Sequence, residues 1–112
     1  METQKRSRRH VRILTSLEVF WGRGDKQPAA KVTSLSLDGC LIETSRQAGV
    51  GRLVSFELGL PTGRRLALEG RVIYRRDPVG FGVLFVPLSE RQRDSITRII
   101  ERARPFCSLH GR

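Results

Sequence analysis

Thr33-Ser34-Leu35-Ser36-Leu37-Asp38-Gly39-Cys40-Leu41-Ile42 reads as a strand, a tight turn and a second strand. On a strand, side chains two apart share a face, so Ser34 and Ser36 lie on one side and Leu35 and Leu37 on the other. Asp38-Gly39 breaks the alternation. An Asp-Gly pair between apolar runs is a strong hairpin signal, because glycine accepts a positive φ without a Cβ clash. The pattern predicts a polar, solvent-accessible rim at a strand end, rich in exposed backbone and suited to an anionic ligand.

The same alternation recurs on both sides of this hairpin. It predicts strands over 13–21, 30–37, 40–44, 53–60, 66–75 and 81–86, joined by turns rich in Gly, Pro and Asp. Ile13, Leu17, Val19 and Trp21 share a face in the first. Val54, Phe56, Leu58 and Leu60 alternate inward in the fourth, Leu66, Leu68, Gly70, Val72 and Tyr74 share one side of the fifth, and Phe81, Val83 and Phe85 one side of the sixth. Glycines opposite those last three mark a bend or a close backbone approach. Short strands at this spacing predict a mainly β fold, a small six-stranded antiparallel barrel, since an open sheet would leave edges unpaired.

The pattern changes after residue 88. Ser89 and Gln92 have the spacing of a capping box, Ile96, Ile99, Ile100 and Ala103 recur at helical spacing, and Pro105 is a stop signal. A C-terminal α-helix is expected to lay this narrow stripe on the barrel. The expected organisation is a flexible basic segment over 1–12, a barrel with its helix over 13–104, and a tail over 105–112.

Length and composition narrow the function. The chain has 112 residues, 38% hydrophobic and 29% charged, which suits one globular domain. It has no apolar run long enough to span a membrane, and no apolar stretch follows the basic N-terminus as in a secretory signal, so a cytoplasmic protein is expected. Cys40 and Cys107 have no CxxC partner, and His10 and His110 have no ligand spacing. Nucleophile triads, HExxH, P-loop and dinucleotide fingerprints are all missing from the sequence. The expectation is therefore a binding protein, not an enzyme, with no metal and no cofactor. The net charge is +10, with 18 Arg against 3 Lys. Arginine grips phosphate and guanine bidentately and stacks on bases, so the bias points to anionic partners.

Five of those basic residues fall in Lys5-Arg6-Ser7-Arg8-Arg9-His10-Val11-Arg12, just before the first strand. Arg8 and Arg12 are four apart, and a folded-back segment can aim both at one dianion. Arg8-x-x-x-Arg12, followed two dozen residues later by Ser36-x-x-Gly39, resembles the PilZ domain, whose motifs are Arg-x-x-x-Arg and Asp/Asn-x-Ser-x-x-Gly. The run Gly80-Phe81-Gly82-Val83-Leu84-Phe85 is similar to that family's last strand. The resemblance covers residues 5 to 104 and implies a six-stranded barrel with a C-terminal helix that binds cyclic di-GMP. It implies that Arg8 and Arg12, assisted by Arg9, grip phosphates and guanine faces, with Ser34, Ser36 and Gly39 supplying the rim. It also implies coupling to a partner protein in control of motility, biofilm or adhesion. Ser34 stands where the family has Asp or Asn, and a hydroxyl makes fewer contacts to a guanine edge than a carboxylate or amide does. That departure favours an alternative, a PilZ-type module that binds a protein without ligand. The charge favours another, a basic barrel on nucleic acid, against which stands the scarcity of surface aromatics for stacking.

Overall fold

The structure, a computed structural model, describes residues 11–21 and 29–111, with side chains to residue 103. Six strands and one helix follow in order: β1 (Ile13–Phe20), β2 (Ala30–Leu35), β3 (Gly39–Thr44), β4 (Leu53–Gly59), β5 (Arg65–Arg76), β6 (Gly80–Phe85) and α1 (Glu90–Gly111). The strands close into an antiparallel barrel in the order β1-β2-β3-β6-β5-β4. Closure rests on a short pairing of β1 with β4, Val19 opposite Leu58 and Phe20 opposite Glu57. It removes the sheet edges that would otherwise template aggregation.

Inward residues fill the barrel. Val32, Leu35, Ile42, Leu58, Val72, Phe81 and Val83 are at most 2% exposed. Burial of side chains this size contributes about 1.5–3 kcal/mol each. The alternation in β4 and most of β5 matches the expectation residue by residue. It is broken in three places by irregular register, between Leu14 and Leu17 in β1, between Val32 and Ser34 in β2, and between Val72 and Tyr74 in β5. The irregularity in β2 lets Val32 and Leu35, three apart, both reach the core. The one in β5 corrects the expectation for Tyr74. Strict alternation places it inside with Val72, but the extra residue rotates the chain and Tyr74 emerges 41% exposed.

The helix begins as its sequence predicts. Ser89 N–H donates to Gln92 Oε1 at 2.8 Å, and Gln92 N–H donates to Ser89 Oγ at 3.1 Å. Gln92 Nε2 also donates to the carbonyl of Ala67 at 2.8 Å, which ties the first turn of α1 to β5. Ile96, Ile99 and Ile100 join the barrel core, so the apolar stripe packs within its own domain. Pro105 does not end the helix, which runs on to Gly111. A proline removes one hydrogen bond and crowds one carbonyl, and neighbouring turns can continue beyond it.

Candidate functional site

The β2–β3 connection is held by one hydroxyl. Ser36 Oγ accepts from the backbone N–H of Asp38 at 3.0 Å and of Gly39 at 3.3 Å. The N–H of Ser36 donates to the carbonyl of Gly39 at 2.9 Å, and the carbonyl of Asp38 accepts from the N–H of Phe85 at 2.8 Å. β2 therefore ends at Leu35, two residues before the expected limit, because the serine hydroxyl takes over backbone donors that a longer ladder would need. Ser36 is 2% exposed, so its side chain is internal to the turn and not part of an open rim.

Gly39 is glycine for a reason other than turn conformation. Its φ is not positive, unlike that of Gly51 or Gly63, each at 93°. It pairs with Leu84 on β6, and a Cβ added there would overlap the carbonyl oxygen of Val83. The close approach is that of one strand to its neighbour.

Val11 and Arg12 belong to the folded unit, since Val11 packs on the core. The Arg12 guanidinium donates from Nη1 to Ser34 Oγ at 2.9 Å, across 22 residues of sequence. Ser34 is 9% exposed, which corrects the expectation of a solvent-accessible rim. Beneath it, the Cys40 thiol is pushed up to about 12 by burial, with the Arg12 guanidinium pulling the other way. A thiol in that state is inert as a nucleophile at neutral pH. Arg12, Ser34, Ser36 and Gly39 are thus brought together at one strand end. Arg8 and Arg9 lie outside the described residues.

The register adds residues that alternation alone did not reveal. Leu14, Ser34, Leu41, Gly82 and Tyr74 form a continuous cross-strand row over β1, β2, β3, β6 and β5. The ends of the row are exposed, Leu14 at 86% and Tyr74 at 41%, while Ser34 and Leu41 between them are buried. The Tyr74 ring lies directly over Gly82, in space that any side chain there would fill. Gly82 was the available signal, since a glycine on an outward position invites a neighbouring ring to lie flat. The result is a shallow apolar floor next to a guanidinium. Among the described residues no group of His, Cys, Asp and Glu could hold a metal ion, and no helix is long and apolar enough to cross a membrane.

The described residues thus form a closed six-stranded barrel with a C-terminal helix, carrying Arg12 against a Ser-x-x-Gly turn. The PilZ domain family profile matches residues 6–102, and the chain belongs to that family, which comprises known cyclic di-GMP receptor domains. A solved structure described as the PilZ domain of CeSA from a cellulose synthesizing bacterium superposes with a TM-score of 0.61. The match covers 84% of this chain and 98% of that one at 20% identity, a likeness of fold. No curated protein sequence matches the chain.

Proposed function

We propose that this chain is a receptor for cyclic di-GMP that passes the presence of the ligand to a partner protein, without catalysis. The observation that carries the reading is the Arg12–Ser34 hydrogen bond, because it joins two motifs 22 residues apart at one place on the barrel. Arg12 remains exposed, so its free N–H groups face solvent, where a phosphate can take them. The apolar row from Leu14 to Tyr74 offers a floor for a purine face. Ser36 and Gly39 act by fixing the turn. Arg8 and Arg9 supply further charge from the segment just before Val11. The ligand biases the protein only by binding one arrangement of this segment more tightly than another. An output in motility, biofilm or adhesion is what membership of the family implies.

A second reading, a module that binds a protein partner with no ligand, draws on the exposed Leu14 and Tyr74 at the ends of the same row and on Ser34 in place of a carboxylate or amide. Nucleic acid is disfavoured. Among the described residues Tyr74 is the exposed aromatic, while Arg65 covers the Phe20 ring at 3.7 Å and Arg46 the Trp21 ring at 4.4 Å.

Isothermal titration of the full chain with cyclic di-GMP, GTP and a short single-stranded DNA decides among these. The expected result is a dissociation constant in the micromolar range for cyclic di-GMP, about −8 kcal/mol, with GTP far weaker. Arg12→Ala removes most of that binding. An equal response to all three ligands marks a generic anion surface, and no response to any favours the protein-binding module.

A further inference from the structure

A second cluster of unpaired positive charge lies away from the serine turn. A groove of about 270 Å³ lies between the β4–β5 turn and α1. Leu60, Pro61 and Ile99 make its apolar floor, and Arg64, Arg98 and Arg102 stand around it. All three arginines are exposed, and none makes an ion pair with a carboxylate among the described residues. Asp94, four residues before Arg98, is not within ion-pair distance of it. Arg98 and Arg102 are themselves four apart, where like charges on a helix repel. An acidic occupant relieves that repulsion.

We infer that this groove docks a partner protein through a short segment that sets Asp or Glu around an aliphatic side chain. The aliphatic side chain fills the space over Ile99 and Leu60, and the carboxylates take the three guanidiniums, whose planar forks suit them. The groove offers no aromatic ring for a base to stack on. A neighbouring cavity of about 430 Å³ shares Leu60, Pro61 and Arg64 and is also lined by Glu18, Arg65 and Phe20. Arg65 there is engaged with Glu57 and with the Phe20 ring, so a phosphate backbone leaving the groove in that direction meets the carboxylate of Glu18, whereas a peptide can present a neutral or basic residue. The groove shares no residue with the Arg12–Ser34 turn, so this inference stands apart from the ligand reading.

The test is selection of random displayed peptides on the full chain, with counter-selection on the triple variant Arg64→Gln, Arg98→Gln, Arg102→Gln. Selected peptides should place Asp or Glu on both sides of Leu, Ile or Val. Fluorescence anisotropy with a selected peptide should show each single Arg→Gln change weakening binding about threefold and the triple change about tenfold or more. Arg12→Ala should leave it unchanged, and an unaltered melting temperature of the triple variant shows that the fold is intact. Peptides without acidic enrichment, or equal binding to the triple variant, overturn the inference. So does a short single-stranded DNA that binds the chain more tightly than the peptide and loses affinity in the triple variant, which assigns the groove to nucleic acid.

Discussion

At the β2–β3 turn the polar side chains are bound to the protein itself. Ser36 holds two backbone donors, Ser34 holds Arg12, and both serines are buried. In the groove beside α1 three exposed guanidiniums stand with no acidic partner among the described residues. The turn is internally bonded, the groove concave and unpaired. Motif residues therefore need not be contact residues. Here Ser36 and Gly39 shape the platform, and Arg12 alone among the described motif residues reaches out from it.

The sharpest way to break that contrast is to put a side chain on Gly39. A Cβ there overlaps the Val83 carbonyl, which belongs to the β6 backbone and cannot rotate away. Gly39→Val is expected to cost about 3 kcal/mol, the upper end of overpacking, read from the urea midpoint. Arg98→Gln in the groove should change stability by less than about 0.5 kcal/mol. Comparable losses from the two would mean that the groove is as structural as the turn.

Next comes Ser36→Ala. It strips the acceptor from the N–H groups of Asp38 and Gly39, and the Gly39 bond is buried. Leaving a buried donor unsatisfied costs about 1–3 kcal/mol. Chemical denaturation reads the loss, and hydrogen exchange should show faster exchange at Gly39 than at residues of β4. An unchanged stability would mean that the turn is held by its backbone bonds alone.

Much of the barrel was legible because alternation, turn dipeptides and a capping box are local signals, and β4, β6 and the start of α1 carry them cleanly. What escaped was set by distant parts of the chain. Nothing local in Val32-Thr33-Ser34-Leu35 announces a break in register, yet the break sends Leu35 inward and Ser34 outward. Strict alternation misplaces Tyr74 for the same reason, and Pro105, a stop signal in sequence, does not halt the helix at the loss of one hydrogen bond. At the site, the sequence supplied Arg12, Ser34, Ser36 and Gly39, but not the bond between the first two. A contact across 22 residues exists only once β1 and β2 pair.

Cys40, beneath the turn, gives a smaller effect with a definite sign. Burial raises its thiol from 9.0 to about 12, so the folded state holds the proton more tightly than the unfolded chain. Its contribution to stability is complete below pH 9 and is lost as pH rises from 9 towards 12. The loss is about 1 kcal/mol per pH unit in that window. Thermal midpoints of wild type and Cys40→Ala, compared between pH 8 and about pH 10, should converge as pH rises. A constant gap would show that the thiol is not shielded and that the turn does not seal the core below it.

The smallest expected effect sits at Ser34, and it separates holding from reading. Its hydroxyl oxygen already accepts from Arg12, which leaves little of the side chain for a ligand. An amide has a carbonyl that can keep Arg12 and an NH₂ that can reach a guanine edge as well. Ser34→Asn is therefore expected to tighten cyclic di-GMP binding by about 1 kcal/mol, the low end for a good base contact. Ser34→Ala should loosen Arg12 and weaken binding by a similar amount, with little change in unfolding midpoint because Arg12 is exposed. Ser34→Asp is the less clean change, because its carboxylate forms an ion pair with Arg12 and competes with the phosphates for the guanidinium. If Ser34→Asn weakens binding while Ser34→Ala also weakens it, position 34 serves only to hold the arginine. The base-reading contacts then belong to the outer row that runs from Leu14 to Tyr74.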